Sequence, residues 1–251
     1  MYQIEWLAIG DNQIPAQFLF HLAPSDQWYP ITSFAILLTG PNGRHHVIDT
    51  GVRSPKEIND RLPPMRHWKV DPSHSLERQL MDRGISLSDI DSVLLTHLHY
   101  DHCSQISIFP RADIIVSRAE WTSVVAPYDT ELLRFAYYPR DIYAWIVRDG
   151  WDRVQLIDDG DEILPGIQAW VLGGHTPGST AYRVKTSKGF VMIAGDFINT
   201  YKNWEEHHPP GLLVSLAEWY AGYHRLAKSG SLIIPSHDPT LSARYPTGTI
   251  V

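Results

Sequence analysis

The sequence is poor in several features that would point to particular classes of protein. It contains one cysteine, Cys103, so no disulfide can form within the chain. No apolar run approaches the roughly 18 residues that a membrane-spanning helix needs. The start has no basic segment followed by an apolar one, which argues against a signal peptide. We therefore expect a cytoplasmic protein that has no membrane partner.

Basic charge is also scarce. Lysine and arginine number 21 against 28 aspartate and glutamate residues, which gives a net charge of -7. Proteins that bind nucleic acid usually carry a basic face, so we expect no nucleic-acid partner. The hydrophobic fraction of 43% is ordinary for a globular protein, and no low-complexity linker interrupts the chain. These features predict one domain over residues 1–251.

The order of apolar and turn-forming segments predicts a fold of mixed class. Strands are predicted at 31–39, 46–51, 92–96, 112–117, 167–171, 181–186, 190–196 and 231–237. Helices are predicted at 74–84, with Leu76, Leu80 and Met81 on one apolar face, and at 216–230, with an apolar face formed by Leu216, Trp219, Tyr220 and Tyr223. In each half of the chain, strands are followed by a helix and then by a strand that leads into a histidine. The pattern indicates an α/β (α+β) fold of two similar halves.

Polar groups follow directly on several of these apolar strands. They are the segment "HLHYDH" at 97–102, His175, Asp196, His237 and Asp49. Loops at strand ends are where a rigid scaffold usually presents a functional site. We therefore expect these residues to be neighbours in space, although they are far apart in sequence.

The spacing within the histidine cluster favours two metal ions over one. His97 and His99 are two residues apart, so their side chains point the same way in an extended segment. Asp101 and His102 follow as the chain turns, and they must point elsewhere. A lone histidine is more often merely packed than a ligand, but four ligand-type residues within six positions favour a metal site. Imidazole and carboxylate groups suit zinc, iron or manganese, and a position left for water would make the site catalytic.

The chain resembles the metallo-β-lactamase superfamily. "HLHYDH" matches the HxHxDH signature of that superfamily, and "VIDTG" at 47–51 matches its early strand. Its later motifs follow in the expected order as "GGHTPGS" at 173–179, "IAGDF" at 193–197 and "PSHDP" at 235–239. The resemblance covers nearly the whole chain and implies a four-layer αββα sandwich with a dinuclear metal site at one edge of the two sheets.

The resemblance also implies a role for each site residue. His97, His99 and His175 would hold one ion, while Asp101, His102 and His237 would hold the other, and Asp196 would bridge both. Asp49 would lie just behind the site and orient ligands, although a plain turn residue is an equal alternative. Thr176 and Ser179 would brace the loop that carries His175.

This arrangement predicts hydrolysis. A water held between two divalent ions, Zn²⁺ first and Mn²⁺ or Fe²⁺ as alternatives, loses a proton near neutral pH and attacks a carbonyl or phosphoryl group. Asp101 and Asp196 are the predicted catalytic residues, since either carboxylate can pass the proton to the leaving group.

Within the superfamily, the chain is most similar to N-acyl-homoserine-lactonase-like enzymes. Its length, its full ligand set, the motif "HDP" at 237–239 and the segment 203–211 fit that group. Two features depart from it: Asn199 stands where the well-known lactonases have a tyrosine, and the cluster continues "DHCSQ" at 101–105. The resemblance implies a metallo-hydrolase that opens a cyclic ester or a related cyclic amide. The alternatives are a hydrolase of another carbonyl or phosphoester substrate, and a non-catalytic metal-containing protein that binds a ligand.

Aromatic residues crowd into the segment 118–151, between the histidine cluster and His175. This is where the superfamily places a cap over its metals, so the segment predicts an apolar pocket for a small-molecule substrate. Core packing or a homodimer contact is the alternative for any one of these aromatic residues. The predicted substrate contacts are Tyr100, Tyr138, Trp145 and Asn199, whose amide could donate to the substrate carbonyl.

Overall fold

A computed structural model describes residues 1–127 and 138–251 of the chain. In these residues the strands form two sheets. The first has the order β1 (Gln3–Pro15), β2 (Trp28–Thr39), β3 (His45–Ile48), β4 (Ile90–Leu94), β5 (Asp113–Ser117) and β6 (Val154–Ile157). The second has the order β11 (Leu232–Ile234), β10 (Gly189–Ile193), β9 (Thr180–Thr186), β8 (Ile167–Val171) and β7 (Glu162–Leu164).

Short helices connect and cover these sheets. The α-helices are α1 (Ala16–Leu19), α2 (Lys56–Asn59), α3 (Leu76–Met81), α4 (Tyr100–Cys103), α5 (Arg118–Val125), α6 (Arg140–Trp145), α7 (Tyr201–Glu205), α8 (Leu216–Ala227) and α9 (Leu241–Arg244). Single turns of 3-10 helix lie between them, and a π-helix, Ile146–Gly150, follows α6. Of the described helices, none combines the length and the apolar character that crossing a membrane requires.

Both sheets are mixed. In the first, β2 runs antiparallel to both of its neighbours, β1 and β3, and β3 to β6 run parallel. In the second, β7 to β10 are antiparallel and β11 is parallel to β10. Parallel neighbours bring the ends of β3, β4, β10 and β11 to positions from which the following loops can meet.

Three separate apolar cores show that the fold has four layers. Successive strand residues face opposite sides of a sheet, so Ile36 and Leu38 pack between the two sheets, while Leu37 packs against the helices outside. In β10, Ile193 faces the core between the sheets and Met192 faces α8. A core between the sheets and one on each outer face require the order helix, sheet, sheet, helix. The expected αββα sandwich is confirmed.

The sequence predicted the inner strands better than the peripheral elements. The predicted strands at 31–39, 92–96, 112–117, 181–186 and 190–196 are confirmed by β2, β4, β5, β9 and β10. The expectation that Met81 lies on a buried helix face is wrong, because its side chain is 58% exposed at the end of α3. In α8, Trp219 and Tyr223 are buried as expected, but Leu216 and Tyr220 face solvent. The single-domain assignment stays a prediction.

A buried histidine outside the two ligand groups of the strand-end cluster makes the stability of this fold depend on pH. His46 in β3 is 3% exposed, and its Nδ1 lies 2.7 Å from Ser92 Oγ in the neighbouring strand. Burial lowers the pKa of His46 from 6.5 to about 4. As the pH falls between these two values, His46 therefore binds a proton in the unfolded chain and stays neutral in the folded chain. The stability is complete above the unfolded pKa and is lost progressively below it.

We expect the free energy of unfolding to fall by about 1–2 kcal/mol more in the wild type than in His46→Gln between about pH 7 and about pH 4.5. Glutamine keeps a polar partner for Ser92 and does not titrate, so all other titrating groups cancel in the comparison. Urea unfolding at both pH values measures the difference. An equal loss in the two proteins would show that His46 is solvated and titrates normally.

Candidate metal centre

Side chains from both sheets converge at one edge of the sandwich. They form two groups, and within each group the potential ligand atoms all lie within 4.8 Å of one another. The first group consists of His97, His99, His175 and Asp196, and the second of Asp101, His102 and His237. All of these residues were singled out from the sequence, and the division into groups is the one that the resemblance implied.

The local fold explains why neighbours in the histidine cluster point to different groups. His97 and His99 lie in the extended segment after β4, whereas α4 begins at Tyr100 and turns Asp101 and His102 away from them. Two hydrogen bonds from other segments hold the backbone of α4 in place. Ser33 Oγ donates to the Asp101 carbonyl at 2.9 Å, and Thr50 N donates to the His102 carbonyl at 2.7 Å.

Asp196 lies between the two groups. Its Oδ1 is 3.0 Å from His237 Nε2 and 3.1 Å from His102 Nε2, which belong to the second group. Its Oδ2 faces the first group instead, at 3.4 Å from His175 Nε2 and 3.9 Å from His97 Nε2. The two oxygens of this carboxylate thus face different groups, as a carboxylate between two ions would require.

Hydrogen bonds on the far side of three rings fix which nitrogen points into the site. His102 Nδ1 lies 2.8 Å from Asp49 Oδ2, His175 Nδ1 2.7 Å from the Leu212 carbonyl, and His237 Nδ1 3.1 Å from the Thr32 carbonyl. Each of these partners can only accept, so each Nδ1 carries a hydrogen. In the neutral rings, the unprotonated Nε2 atoms then face inward.

The convergence of these atoms fits divalent cations. Unprotonated Nε2 atoms and the oxygens of Asp196 are all hydrogen-bond acceptors, and acceptors at about 3 Å repel one another unless a cation or proton lies between them. His102 Nε2 is buried and makes no hydrogen bond with any described residue. Nitrogen and oxygen donors without a thiolate are the set that zinc, manganese and iron accept. The residues therefore fit two divalent ions.

The charges of the site follow from burial and from Asp196. Burial holds the pKa of His97 and of His99 well below its ordinary value, so both rings are neutral at pH 7. Burial would raise the pKa of Asp196, but His237 and His102 outweigh it and keep this pKa well below its usual range. For His102, burial acts to lower the pKa, yet Asp196 and Asp49 raise it. The two carboxylates therefore favour a positive charge at this ring, as they would favour a cation beside it.

Asp49 supports the second group from behind. One of its oxygens accepts from Thr96 N at 2.8 Å, and the other accepts from Thr96 Oγ1 at 2.7 Å and from His102 at 2.8 Å. Its backbone φ of 56° lies in the left-handed region, as suits a tight turn after β3. The sequence left a turn and a ligand-orienting role open for Asp49, and the geometry contains both.

The loop of His175 is braced as expected, but by one residue that the sequence did not reveal. Thr176 N donates to Ser179 Oγ at 2.9 Å, and Thr176 Oγ1 donates to Glu120 Oε2 at 2.7 Å. Glu120 lies in the first turn of α5 and is fully buried. A glutamate in a first helical turn is typical of ordinary capping, so its type and position gave no signal of a role at the site.

A cavity opens over the two groups, and its polar floor includes His99, Asp101, Asp196, Asn199 and His237. Tyr100 also lines it. The other wall is mostly apolar and comes from β1, α1, β2, the segment 58–68 and the loop before α8, and the polar residues Asn12 and Arg66 also line it. The apolar side chains of this wall are Ile14, Phe18, Leu19, Ile31, Ile58, Leu62, Trp68 and Leu212.

The aromatic segment 118–151 does not supply this wall in its described residues, which corrects the expectation. Trp145 packs away from the cavity, with the Arg153 guanidinium 5.3 Å from its ring and Gly150 against its edge. Tyr138 lies with its ring 4.6 Å from that of His99 and lines a neighbouring cavity that Tyr100 also lines. Tyr128, Phe135 and Tyr137 lie outside the described residues.

The four layers, the two groups of possible ligands at the sheet edge and the carboxylate between them are typical of one class of protein. A family model of the metallo-beta-lactamase superfamily matches residues 28–237, and the chain belongs to this superfamily. The lactonase AttM of Azorhizobium caulinodans is 26% identical over 241 residues, which covers 86% of this chain and 84% of that protein. AttM of Rhizobium radiobacter is 28% identical over 240 residues and covers 88% and 86%. Both are named N-acyl homoserine lactonases.

Solved structures share the fold at lower identity. An N-acyl homoserine lactone hydrolase with N-hexanoyl-L-homoserine at its catalytic metal centre superposes with a TM-score of 0.77 at 19% identity, over 97% of both chains. The dizinc quorum-quenching lactonase AidC gives a TM-score of 0.72 at 16% identity and covers 99% of this chain and 89% of its own. These likenesses support the architecture described above.

Replacing Asp49 by asparagine should weaken ion binding by the second group. The amide can keep one acceptor for His102 but must turn its NH₂ toward a donor of Thr96, so the ring is held less firmly. We expect the affinity for Zn²⁺ to fall about tenfold to a hundredfold. Competition with a chromophoric chelator measures it. Asp82→Asn, which alters an exposed pair with Arg78, is the matched control and should leave the affinity unchanged; equal affinities in all three proteins would contradict the role of Asp49.

Proposed function

We propose that this protein is a metal-dependent hydrolase that opens a cyclic ester. The observation that carries the proposal is the position of Asp196, with one oxygen toward each ligand group, beneath a cavity with an apolar wall. The lactonase names of the relatives AttM, and the lactone product at the metal centre of a protein with the same fold, support a lactone as substrate.

The ligands proposed for two Zn²⁺ ions are the two groups described above, with Asp196 between them. When bound, such ions lower the pKa of a water and polarise the carbonyl that it attacks. Three residues with nitrogen and one with oxygen surround the first position, and two nitrogens with carboxylate oxygens surround the second, so both positions keep room for water or substrate.

Asp101 is the carboxylate proposed to move the proton. It lines the cavity and is half-buried, and its Oδ2 lies 3.5 Å from His237 Nε2. A carboxylate at the cavity floor can accept the proton of the attacking water and return it to the alcohol oxygen that leaves when the ring opens. Asp196 is less suited to this step, because its two oxygens face the ligand histidines.

Asn199 is proposed to bind the substrate carbonyl. It is buried and lines the cavity, and its backbone carbonyl accepts from His237 N at 2.8 Å. That bond fixes Asn199 relative to a ligand of the second group. An amide NH₂ at this position can donate to a carbonyl oxygen, as the tyrosine hydroxyl would in the lactonases that the chain resembles. Tyr100 contributes its ring to the cavity, while its hydroxyl donates to the Ser54 carbonyl at 2.9 Å.

The apolar wall suits a lactone that carries an alkyl or aromatic substituent. Phe18, Leu62 and Trp68 line the same cavity as the ligand groups, so a substituent can pack against them while the ring carbonyl lies beside the ligand groups. The cytoplasmic location, the homodimer and the acceptance of cyclic amides stay predictions.

Removal of metal should abolish hydrolysis, and Zn²⁺ should restore it. We expect the chelated protein to lose at least about 99% of its rate on a substituted lactone, because the positioned water would no longer ionise near pH 7. A panel of lactones, cyclic amides and phosphodiesters, assayed before and after reloading with Zn²⁺, measures the rate and the substrate class. A metal-loaded protein that hydrolyses none of the panel would contradict the proposal, and preference for a phosphodiester would favour the phosphoester alternative.

Phe18→Ala tests the placement of the substituent. We expect KM for a lactone with a long alkyl chain to rise about tenfold. The mutation removes a phenyl ring whose contact with the alkyl chain would contribute about 1.5 kcal/mol to binding. KM for the unsubstituted ring should stay the same. Phe190→Ala is the matched control, since Phe190 packs under Arg183 on the second sheet and does not line the cavity. Equal effects of Phe18→Ala on both lactones would show that the substituent lies elsewhere.

A further inference from the structure

Glu120 is a buried carboxylate that belongs to neither ligand group. It is 0% exposed and lies in the first turn of α5, where Ser117 caps the helix by accepting from Glu120 N at 3.1 Å. In an ordinary capping arrangement, a glutamate at this position turns back to the start of its own helix. The Glu120 side chain instead points away from α5 and accepts hydrogen bonds from two distant loops.

The two loops are those that carry the histidines of the first group. Glu120 Oε1 accepts from Leu98 N at 2.9 Å, and Leu98 is the residue between His97 and His99. Glu120 Oε2 accepts from Thr176 Oγ1 at 2.7 Å and from Gly178 N at 3.1 Å, just after His175. One carboxylate therefore joins the extended segment after β4 to the loop after β8.

The contact with the second of these loops is unusually close. A Cβ atom at Gly178 would overlap the backbone nitrogen of Glu120, so only glycine allows this approach. Ser117 Oγ also donates to the Gly178 carbonyl at 2.7 Å. Both backbone groups of Gly178 are thus held by the start of α5, and the loop has little freedom to move away.

We propose that Glu120 is a positioning residue for the first ligand group: it sets the separation between the segment of His97 and His99 and the loop of His175. The inference rests on the proposed two-ion site. Because metal affinity depends on how firmly the ligands are held before the ion binds, loss of this carboxylate should weaken the first ion selectively.

Glutamine cannot replace Glu120 in this role, although it has the same shape. The carboxylate accepts from three donors, two of which are backbone N–H groups that cannot themselves accept. If the glutamine oxygen faces Leu98 N, its NH₂ faces Gly178 N; if it is turned over, its NH₂ faces Leu98 N. Either orientation leaves one buried N–H without a partner, and one of the two loops is released.

The experiment measures Zn²⁺ binding to the purified full chain by competition with a chromophoric chelator. We expect the wild type to bind two ions, and Glu120→Gln to hold one of them about tenfold to a hundredfold more weakly. His97→Ala removes a ligand of the first group and His237→Ala one of the second, so each leaves a single ion to follow. Adding Glu120→Gln should then weaken the ion that remains in His237→Ala and should not change the ion that remains in His97→Ala.

Two matched variants guard against misfolding of Glu120→Gln. Thr176→Val removes the hydroxyl that donates to Glu120, and Thr176→Ser keeps it, so the first should weaken the same ion and the second should not. Equal weakening of both ions by Glu120→Gln, or of neither, would overturn the inference. If the wild type itself binds no divalent ion, the proposed two-ion site fails instead, which separates the two outcomes.

Discussion

The site depends on a fold that holds several electron-pair donors at distances where they repel one another. The oxygens of Asp196 lie 3.0 Å and 3.1 Å from Nε2 atoms of His237 and His102, deep in the protein. Without a proton or a cation between them, nothing in these side chains favours that approach, and burial makes it costlier because water cannot separate them. The arrangement persists because the remainder of each ring is anchored elsewhere. The rest of the fold therefore offsets the repulsion between these atoms, and a bound cation would remove it.

The anchors come from parts of the chain that the two sheets bring together. His237 is held by a carbonyl of β2 in the first sheet, although His237 itself follows β11 of the second. Thr180 N donates to the Thr96 carbonyl at 2.8 Å, and Tyr182 Oη donates to the Leu95 carbonyl at 2.8 Å, which ties β9 to the end of β4. The core between the sheets thus does more than stabilise the fold, since it fixes the distance between ligands that come from different sheets.

The parts of the site that could be predicted from the sequence are those marked by short motifs, namely the cluster 97–102 and the strand-end residues His175, Asp196 and His237. The spacing from His97 to His102 alone separates two pointing directions, because a strand end followed by a helical turn has only a few geometries. The apolar wall could not be predicted in this way. Phe18 and Trp68 carry no chemical signature. Phe18 lies in α1 and Trp68 in the segment between α2 and α3, so only the tertiary fold brings them to the cavity. Trp145 has the aromatic ring that is typical of a pocket residue. Gly150 leaves space for this ring, however, so it packs there and does not line the cavity.

Two buried carboxylates, Asp49 and Glu120, stand behind the two ligand groups, and they differ in what they hold. Asp49 contacts a ligand ring directly, so it affects both the orientation and the basicity of His102. Among the described residues, the Glu120 carboxylate accepts from two backbone N–H groups and from Thr176 and makes no hydrogen bond to a ligand ring, so it acts through the position of the loops. Asp49 can therefore change the charge on a ring of the second group, whereas Glu120 acts on the distance between the two loops that carry the first group.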